Sequence, residues 1–327
     1  METVACGGDS ARPASGEPAR QLAEDHLPDG RHRGGRPHAH RADDRRHMSP
    51  EVFAATLSHG RIRFVDQGRG PVLLFIHGLG GNWQNWRANL AGLASRYRVI
   101  APDLPGFGGS PAYSGAVTMT RYTDTIVEFL DILGIEQATF IGHSMGGLLS
   151  IEAAVRHADR VTAILLASSG GIPLTTLRHR VVLRPGVLAL NTILRLEPIR
   201  RAVPANRPVR HAIAAWIVHQ PQRIEPAQLV EALAGVGMPG FGAVLRAGLR
   251  YDARLRAQHL RCPTLIVWGR HDRLLPLSMG QRLHELIPHS DFLVWDDTGH
   301  CSMIEQPQRF NRLIESFVRR HGHCSSG

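Results

Sequence analysis

Three residues of this 327-residue chain combine the types and the settings that nucleophilic chemistry needs: Ser144, Asp272 and His300. Ser144 lies in Phe140-Ile141-Gly142-His143-Ser144-Met145-Gly146-Gly147-Leu148-Leu149, an apolar run, a G-x-S-x-G pentapeptide and an apolar helix-forming run. Strand, turn and helix in that order make a nucleophile elbow, a turn so tight that flanking side chains would collide. Gly142 and Gly146 remove those side chains and leave the serine hydroxyl exposed on a strained backbone. The helix that begins there aims N–H groups and its positive end at any oxyanion forming beside the hydroxyl. A serine hydroxyl is a poor nucleophile near neutral pH, so it needs a base, and the base needs an orienting acid. Asp272 follows the apolar run Thr264 to Trp268 in Gly269-Arg270-His271-Asp272, and His300 follows Phe292 to Trp295 in Asp296-Asp297-Thr298-Gly299-His300. His271 competes with His300 as base, and Asp296 and Asp297 compete with Asp272 as acid. His271, however, follows the strand that should supply the acid.

Acyl-transfer chemistry at a serine also calls for an oxyanion hole, made by the N–H of the residue after the nucleophile and one from an earlier strand-end loop. Met145 is the first of these. The second is expected in His77-Gly78-Leu79-Gly80-Gly81, which closes the apolar run Val72 to Ile76, and Leu79 is assigned as its donor. His77 is expected to hold that loop by a side-chain hydrogen bond, and His143 to support the site without reacting. Cys301 reads as a small packing residue beside His300. This chemistry requires no metal and no nucleotide.

The elements that must position these residues alternate. Strands are expected at Arg61 to Asp66, Val72 to Ile76, Arg98 to Ala101, Ala138 to Ile141, Val161 to Leu166, Thr264 to Trp268 and Phe292 to Trp295. Helices are expected at Trp83 to Leu93, around Tyr122 to Leu133, at Met145 to His157, around Ser278 to Ile287, and over Phe310, Leu313, Ile314, Phe317 and Val318 behind Pro307. Short continuous apolar strands separated by helices predict βαβ crossovers, hence an α/β fold with a mostly parallel, doubly wound sheet. In such sheets functional groups gather at the carboxyl ends of strands. The alternation stops after Gly171. Amphipathic patches at Val181 to Leu196, Ala212 to Val218, Gln228 to Leu233 and Val244 to Leu249 predict an inserted helical lid. The expected organisation is a disordered tail over 1–47, core over 48–170, lid over 171–256 and core again over 257–327. The tail holds little that is aliphatic and cannot offset its ordering entropy. Met48, directly before the first strand-like run, is a candidate true start.

The formal charge of +10 suggests nucleic acid until its distribution is read. All 38 basic residues are arginine, and residues 171–260 hold thirteen of them against four acids. The stretch offers only Trp216, Phe241 and Tyr251 for base stacking, which argues against nucleic-acid binding. The basic stretch reads first as a solvated face, with a weak contact of the Arg-rich lid to anionic lipid head groups or the steering of acidic substrates as the alternatives. No run approaches a membrane span, and the polar N-terminus lacks the apolar segment of a signal peptide, so a cytoplasmic location is expected. Cys6, Cys262, Cys301 and Cys324 have neither C-x-x-C nor zinc spacing and suit free thiols.

Taken together, His77-Gly78-Leu79-Gly80, Asp103-Leu104-Pro105-Gly106-Phe107-Gly108, Gly142-His143-Ser144-Met145-Gly146-Gly147, Gly269-Arg270-His271-Asp272 and Gly299-His300 resemble the α/β-hydrolase superfamily over about residues 58–320. The chain order Ser144, Asp272, His300 is that of its catalytic triads. The resemblance implies a lid-bearing serine hydrolase acting on a carboxylic ester of small to medium acyl chain. It leaves three alternatives: a hydrolase of carbon–carbon bonds in ring-cleavage products, a cofactor-free perhydrolase, and a ligand-binding receptor. Ser144 argues against the dehalogenase and epoxide-hydrolase branches, which carry aspartate there. The carbon–carbon hydrolases usually carry Asn before the nucleophile and Trp after the histidine, where this chain has His143 and Cys301.

Overall fold

The computed structural model describes residues 50–172, 184–238 and 240–321. The expectations for the 1–47 tail, for Met48 and for Val181 to Leu183 fall outside these residues. Eight strands form one sheet: β1 Val52–Leu57, β2 Gly60–Gln67, β3 Val72–Ile76, β4 Arg98–Pro102, β5 Ala138–His143, β6 Val161–Ala167, β7 Thr264–Gly269 and β8 Asp291–Trp295. Their spatial order is β1-β2-β4-β3-β5-β6-β7-β8. The β1–β2 and β2–β4 pairs are antiparallel and every later pair is parallel. The sheet is therefore mostly parallel, as expected, with an antiparallel edge where the sequence alternates polar and apolar. β5 runs two residues beyond the expected end because Gly142 and His143 still pair with Leu166 and Ala167 of β6.

The central strands are apolar at successive positions because both faces are covered. Leu74 and Ile76 join one core with Ile126, Phe129, Leu149 and Leu283, while Leu73 and Phe75 join another with Trp86, Leu90, Phe310 and Phe317. Alternate residues of one strand thus point into opposite cores, the period-two consequence of the pleat. The first core lies under α2 Met119–Ile132, α3 Met145–Arg156 and α10 Leu277–Leu286; the second lies under α1 Arg87–Leu93 and α12 Pro307–His321. Gly134, at φ 64°, ends α2 in the left-handed region that favours glycine.

The expected helix from Trp83 to Leu93 is two pieces. Residues Trp83–Trp86 form a 3-10 turn capped by Asn82, whose side chain accepts the Gln84 N–H at 2.8 Å, and α1 follows. The Trp83 N–H is drawn to Asp103 Oδ1 at 2.9 Å, a tertiary bond that fixes the tighter start.

Between β6 and β7 the described chain contains no strand. It forms α4 Arg184–Ile193, α5 Glu197–Ala205, α6 Arg207–Ala214, α7 Pro226–Leu233, α8 Phe241–Arg250 and the short α9 Arg254–Ala257. Neither α5 nor α9 is among the expected patches, since Pro198 and Pro204 read as breaks in the pattern of α5 and α9 is only four residues long. Another short helix, α11 Ser302–Glu305, links the end of β8 to α12.

Candidate active site

Ser144 stands between β5 and α3 with φ 53° and ψ −113°, far from any region a serine prefers. Such a conformation costs on the order of 1–3 kcal/mol and persists only where its surroundings over-determine it. Here they do. The Ser144 N–H donates to Ala167 O at 2.9 Å, and its carbonyl accepts from Gly147 N at 3.1 Å and Gly170 N at 2.8 Å. The two elbow glycines are required by close approach. A Cβ at Gly146 would run into the backbone of Ile76 and His77, and one at Gly142 into the Gly146 carbonyl and the Ser150 hydroxyl.

The His77–Gly81 loop presses against this turn. A Cβ on Gly78 would lie 3.0 Å from Ser144 Cβ and 2.9 Å from His143 Nδ1. His77 is fully buried and braces the loop: Nδ1–H donates to Gly78 O at 2.8 Å, and Nε2 accepts the Leu104 N–H at 2.9 Å. Burial lowers its pKa and keeps it neutral, as an acceptor nitrogen requires. The loop that supplies Leu104 is tied in turn by Asp103, whose Oδ1 takes the Trp83 N–H and whose Oδ2 takes the Gly109 N–H at 2.8 Å. Leu79 follows Gly78 in this braced loop, and Met145 opens α3.

At the end of β7, the Asp272 carboxylate is fully engaged. Oδ1 accepts the N–H groups of Leu274 and Leu275, both at 2.9 Å, and Oδ2 accepts His300 Nδ1–H at 2.7 Å. The Asp272 side chain is wholly buried and that of His300 nearly so. His300 also faces His143, with ring centroids 4.6 Å apart. The His143 Nε2–H donates to the His300 carbonyl at 3.0 Å. Burial first, and then the neighbouring His300, holds the His143 pKa well below the usual histidine value. Neutral His143 therefore connects the residue before the serine to the backbone of His300.

The competing residues are placed elsewhere. Asp296 pairs with Arg270, and Asp297 lies 3.4 Å from Arg309, both carboxylates being mostly exposed. His271 stacks on His219 at 3.8 Å, within 6° of parallel. Cys301 is buried, and burial pushes its thiol well above the ordinary value, which leaves little thiolate to act as a nucleophile.

One half-buried carboxylate had no counterpart among the expected site residues. Glu305, in α11, accepts the Gly299 N–H through Oε1 at 2.8 Å and the His219 N–H through Oε2 at 2.7 Å. Its signal in the sequence is only a glutamate five residues after His300. The β6–β7 segment also reaches the His77–Gly81 loop, where Gly235 N–H donates to Gly80 O at 3.0 Å and the Phe241 ring abuts Gly80.

Fold and elbow define an α/β enzyme scaffold with a serine at the turn. Residues 71–307 match the family model described as the alpha/beta hydrolase fold, and the chain belongs to that family. It is 32% identical over 279 residues to a 2-hydroxymuconate semialdehyde hydrolase of Pseudomonas putida, covering 83% of this chain and 95% of that one. It is 29% identical over 258 residues to 3-oxoadipate enol-lactonase 2 of Acinetobacter baylyi, covering 78% and 91%. Among solved structures it resembles a thermophilic esterase from Thermogutta terrifontis at 25% identity and TM-score 0.67, covering 83% and 99%. The proteins it resembles thus include an esterase, an enol-lactonase and a semialdehyde hydrolase. No helix among the described residues is long and apolar enough to cross a membrane.

Proposed function

We propose that this protein is a serine hydrolase that cleaves a carboxylic ester of small to medium acyl chain through an acyl-enzyme. The observation that carries the reading is the buried Asp272–His300 pair, bonded at 2.7 Å and joined through His143 to a serine held in a strained turn. Asp272 fixes the imidazole with its proton on Nδ1, so Nε2 is free to take the Ser144 proton as Oγ attacks the ester carbonyl. The N–H groups of Leu79 and Met145 receive the tetrahedral oxyanion. Protonated His300 then returns the proton to the leaving alcohol, and water activated by the same imidazole releases the acid.

The helices between β6 and β7 act as the lid of this site. They expose Ile193, Leu196, Ile199 and Val209 in the stretch that holds thirteen arginines against four acids, which supports a weak contact with anionic lipid surfaces. A second reading, hydrolysis of a carbon–carbon bond in a ring-cleavage product, is favoured by the similarity to the 2-hydroxymuconate semialdehyde hydrolase.

The test is hydrolysis of p-nitrophenyl esters of increasing acyl length by wild type and Ser144→Ala, with and without anionic vesicles, beside 2-hydroxymuconate semialdehyde. Serine-dependent ester release supports the first reading, and faster release on vesicles supports the lipid contact. Turnover of the ring-cleavage compound alone transfers the assignment to the second. Retention of most ester activity in Ser144→Ala would defeat the nucleophile assignment.

A further inference from the structure

Residues 215–219 of the β6–β7 segment are bonded to both loops that carry the proposed acid and base. Arg273 Nη1, one residue beyond Asp272, donates to Ala215 O at 3.0 Å. The Cys301 N–H, one residue beyond His300, donates to Ile217 O at 3.0 Å. Val218 is buried, and Gly299 packs so closely that a Cβ there would lie 2.8 Å from His219 N. Glu305 closes the arrangement, since its two carboxylate oxygens hold one N–H from each side, Gly299 and His219.

We infer that Glu305 is a positioning residue that latches the β6–β7 segment to the His300 loop, so that the seating of that segment and the placement of the imidazole are coupled. The inference rests, for its kinetic arm, on the serine-hydrolase reading. An ionised carboxylate accepts two N–H donors well, whereas a protonated one turns one oxygen into a donor. Burial pushes the Glu305 carboxyl up to about 7, against the pull of the two N–H bonds. Around it stand His300 and Asp272 of the proposed triad and Cys301 at the start of α11, while His219 brings in its stacked partner His271 together with Arg273, Asp297 and Arg223. Of these groups, the neighbouring His300 favours the charged carboxylate and Asp272 opposes it. Above about 7 both oxygens accept an N–H; below it the proton leaves one acceptor for the two donors, so the latch loses a bond even as the charge penalised by burial is relieved.

Glu305→Gln tests this with almost no change in volume. The amide oxygen can accept one of the two N–H groups, while its NH2 meets the other donor and cannot accept it. Amide hydrogen exchange of peptides covering 215–219 and 298–301 is measured for both proteins at about pH 6 and about pH 8, with kcat and KM on a p-nitrophenyl ester. The expected result is faster exchange in both peptides together in the variant, and a kcat lower by on the order of tenfold with KM within about twofold. In wild type, the same paired increase, in rates corrected for the intrinsic slowing of amide exchange at lower pH, should appear on lowering the pH through about 7 and be absent from the variant. Exchange that changes in only one peptide, or the same pH dependence in both proteins, overturns the inference. If wild type turns over no ester, the hydrolase reading fails, and the exchange measurement still decides the coupling.

Discussion

Asp272→Asn changes one atom and separates the proposed acid from its competitors. In wild type, Oδ1 is committed to the Leu274 and Leu275 N–H groups and Oδ2 to His300. An asparagine NH2 cannot face two backbone donors, so the amide oxygen must keep them and the NH2 must turn toward His300. It then donates to Nδ1, the imidazole proton moves to Nε2, and the nitrogen that should take the Ser144 proton already carries one. The equivalent tautomer error in serine-protease triads costs about 10⁴ in kcat, or about 5 kcal/mol of transition-state stabilisation. The fold should barely notice. Two of the three bonds persist and the third becomes neutral, a loss of about 1 kcal/mol, which lowers Tm by about 2–4 °C in a domain of this size. The assay is kcat on a p-nitrophenyl ester beside a thermal melt, with Asp297→Asn as control. A kcat within tenfold of wild type for Asp272→Asn refutes the tautomer argument, and a large loss in the control would move the acid to Asp297.

Two further outcomes concern stability. Gly146→Ala places a Cβ against the backbone of Ile76 and His77, which cannot yield without moving β3, so denaturant unfolding should show a loss of at least about 2 kcal/mol; unchanged stability contradicts the close approach. The Glu305 carboxyl titrates at about 7 in the fold against 4.5 in the open chain, because burial penalises its charge. A raised acid contributes stability that is fully present below about 4.5 and is lost as pH rises through about 7, here about 2 kcal/mol after allowance for its partial solvent contact. Denaturant curves for wild type and Glu305→Gln should therefore diverge across that window, and curves that stay parallel would place the titration of Glu305 at its ordinary value.

What the sequence made legible follows from the range over which each signal acts. The elbow is local: a buried strand, two glycines and a helix start within ten residues dictate the turn at Ser144, and the structure holds that serine at φ 53°. Asp272 and His300 are legible for the same reason, each lying a few residues beyond a continuous apolar strand. The 3-10 start at Trp83 was not, because it depends on Asp103, twenty residues downstream. For His143 a supporting part was expected from its place in the elbow, but not its partner, the carbonyl of a residue 157 positions away.

Glu305 lies furthest from sequence reading, since of its two partners His219 comes from within the chain's long insertion and Gly299 from beyond β8. A lone glutamate in a short helix carries no period, cap or motif. Its importance is created by burial, which turns an ordinary surface acid into a carboxylate that must be satisfied by the N–H groups brought to it. The same logic divides the site in two. The proposed reacting groups sit on strand ends written into local pattern, whereas Gly235, Phe241 and residues 215–219 reach the proposed site only through tertiary packing. On the proposed ester-hydrolase reading, chemistry and selectivity are thus carried by different kinds of signal, and changes on the insertion are expected to alter which acyl chain is accepted while the Asp272–His300 bond stays as it is.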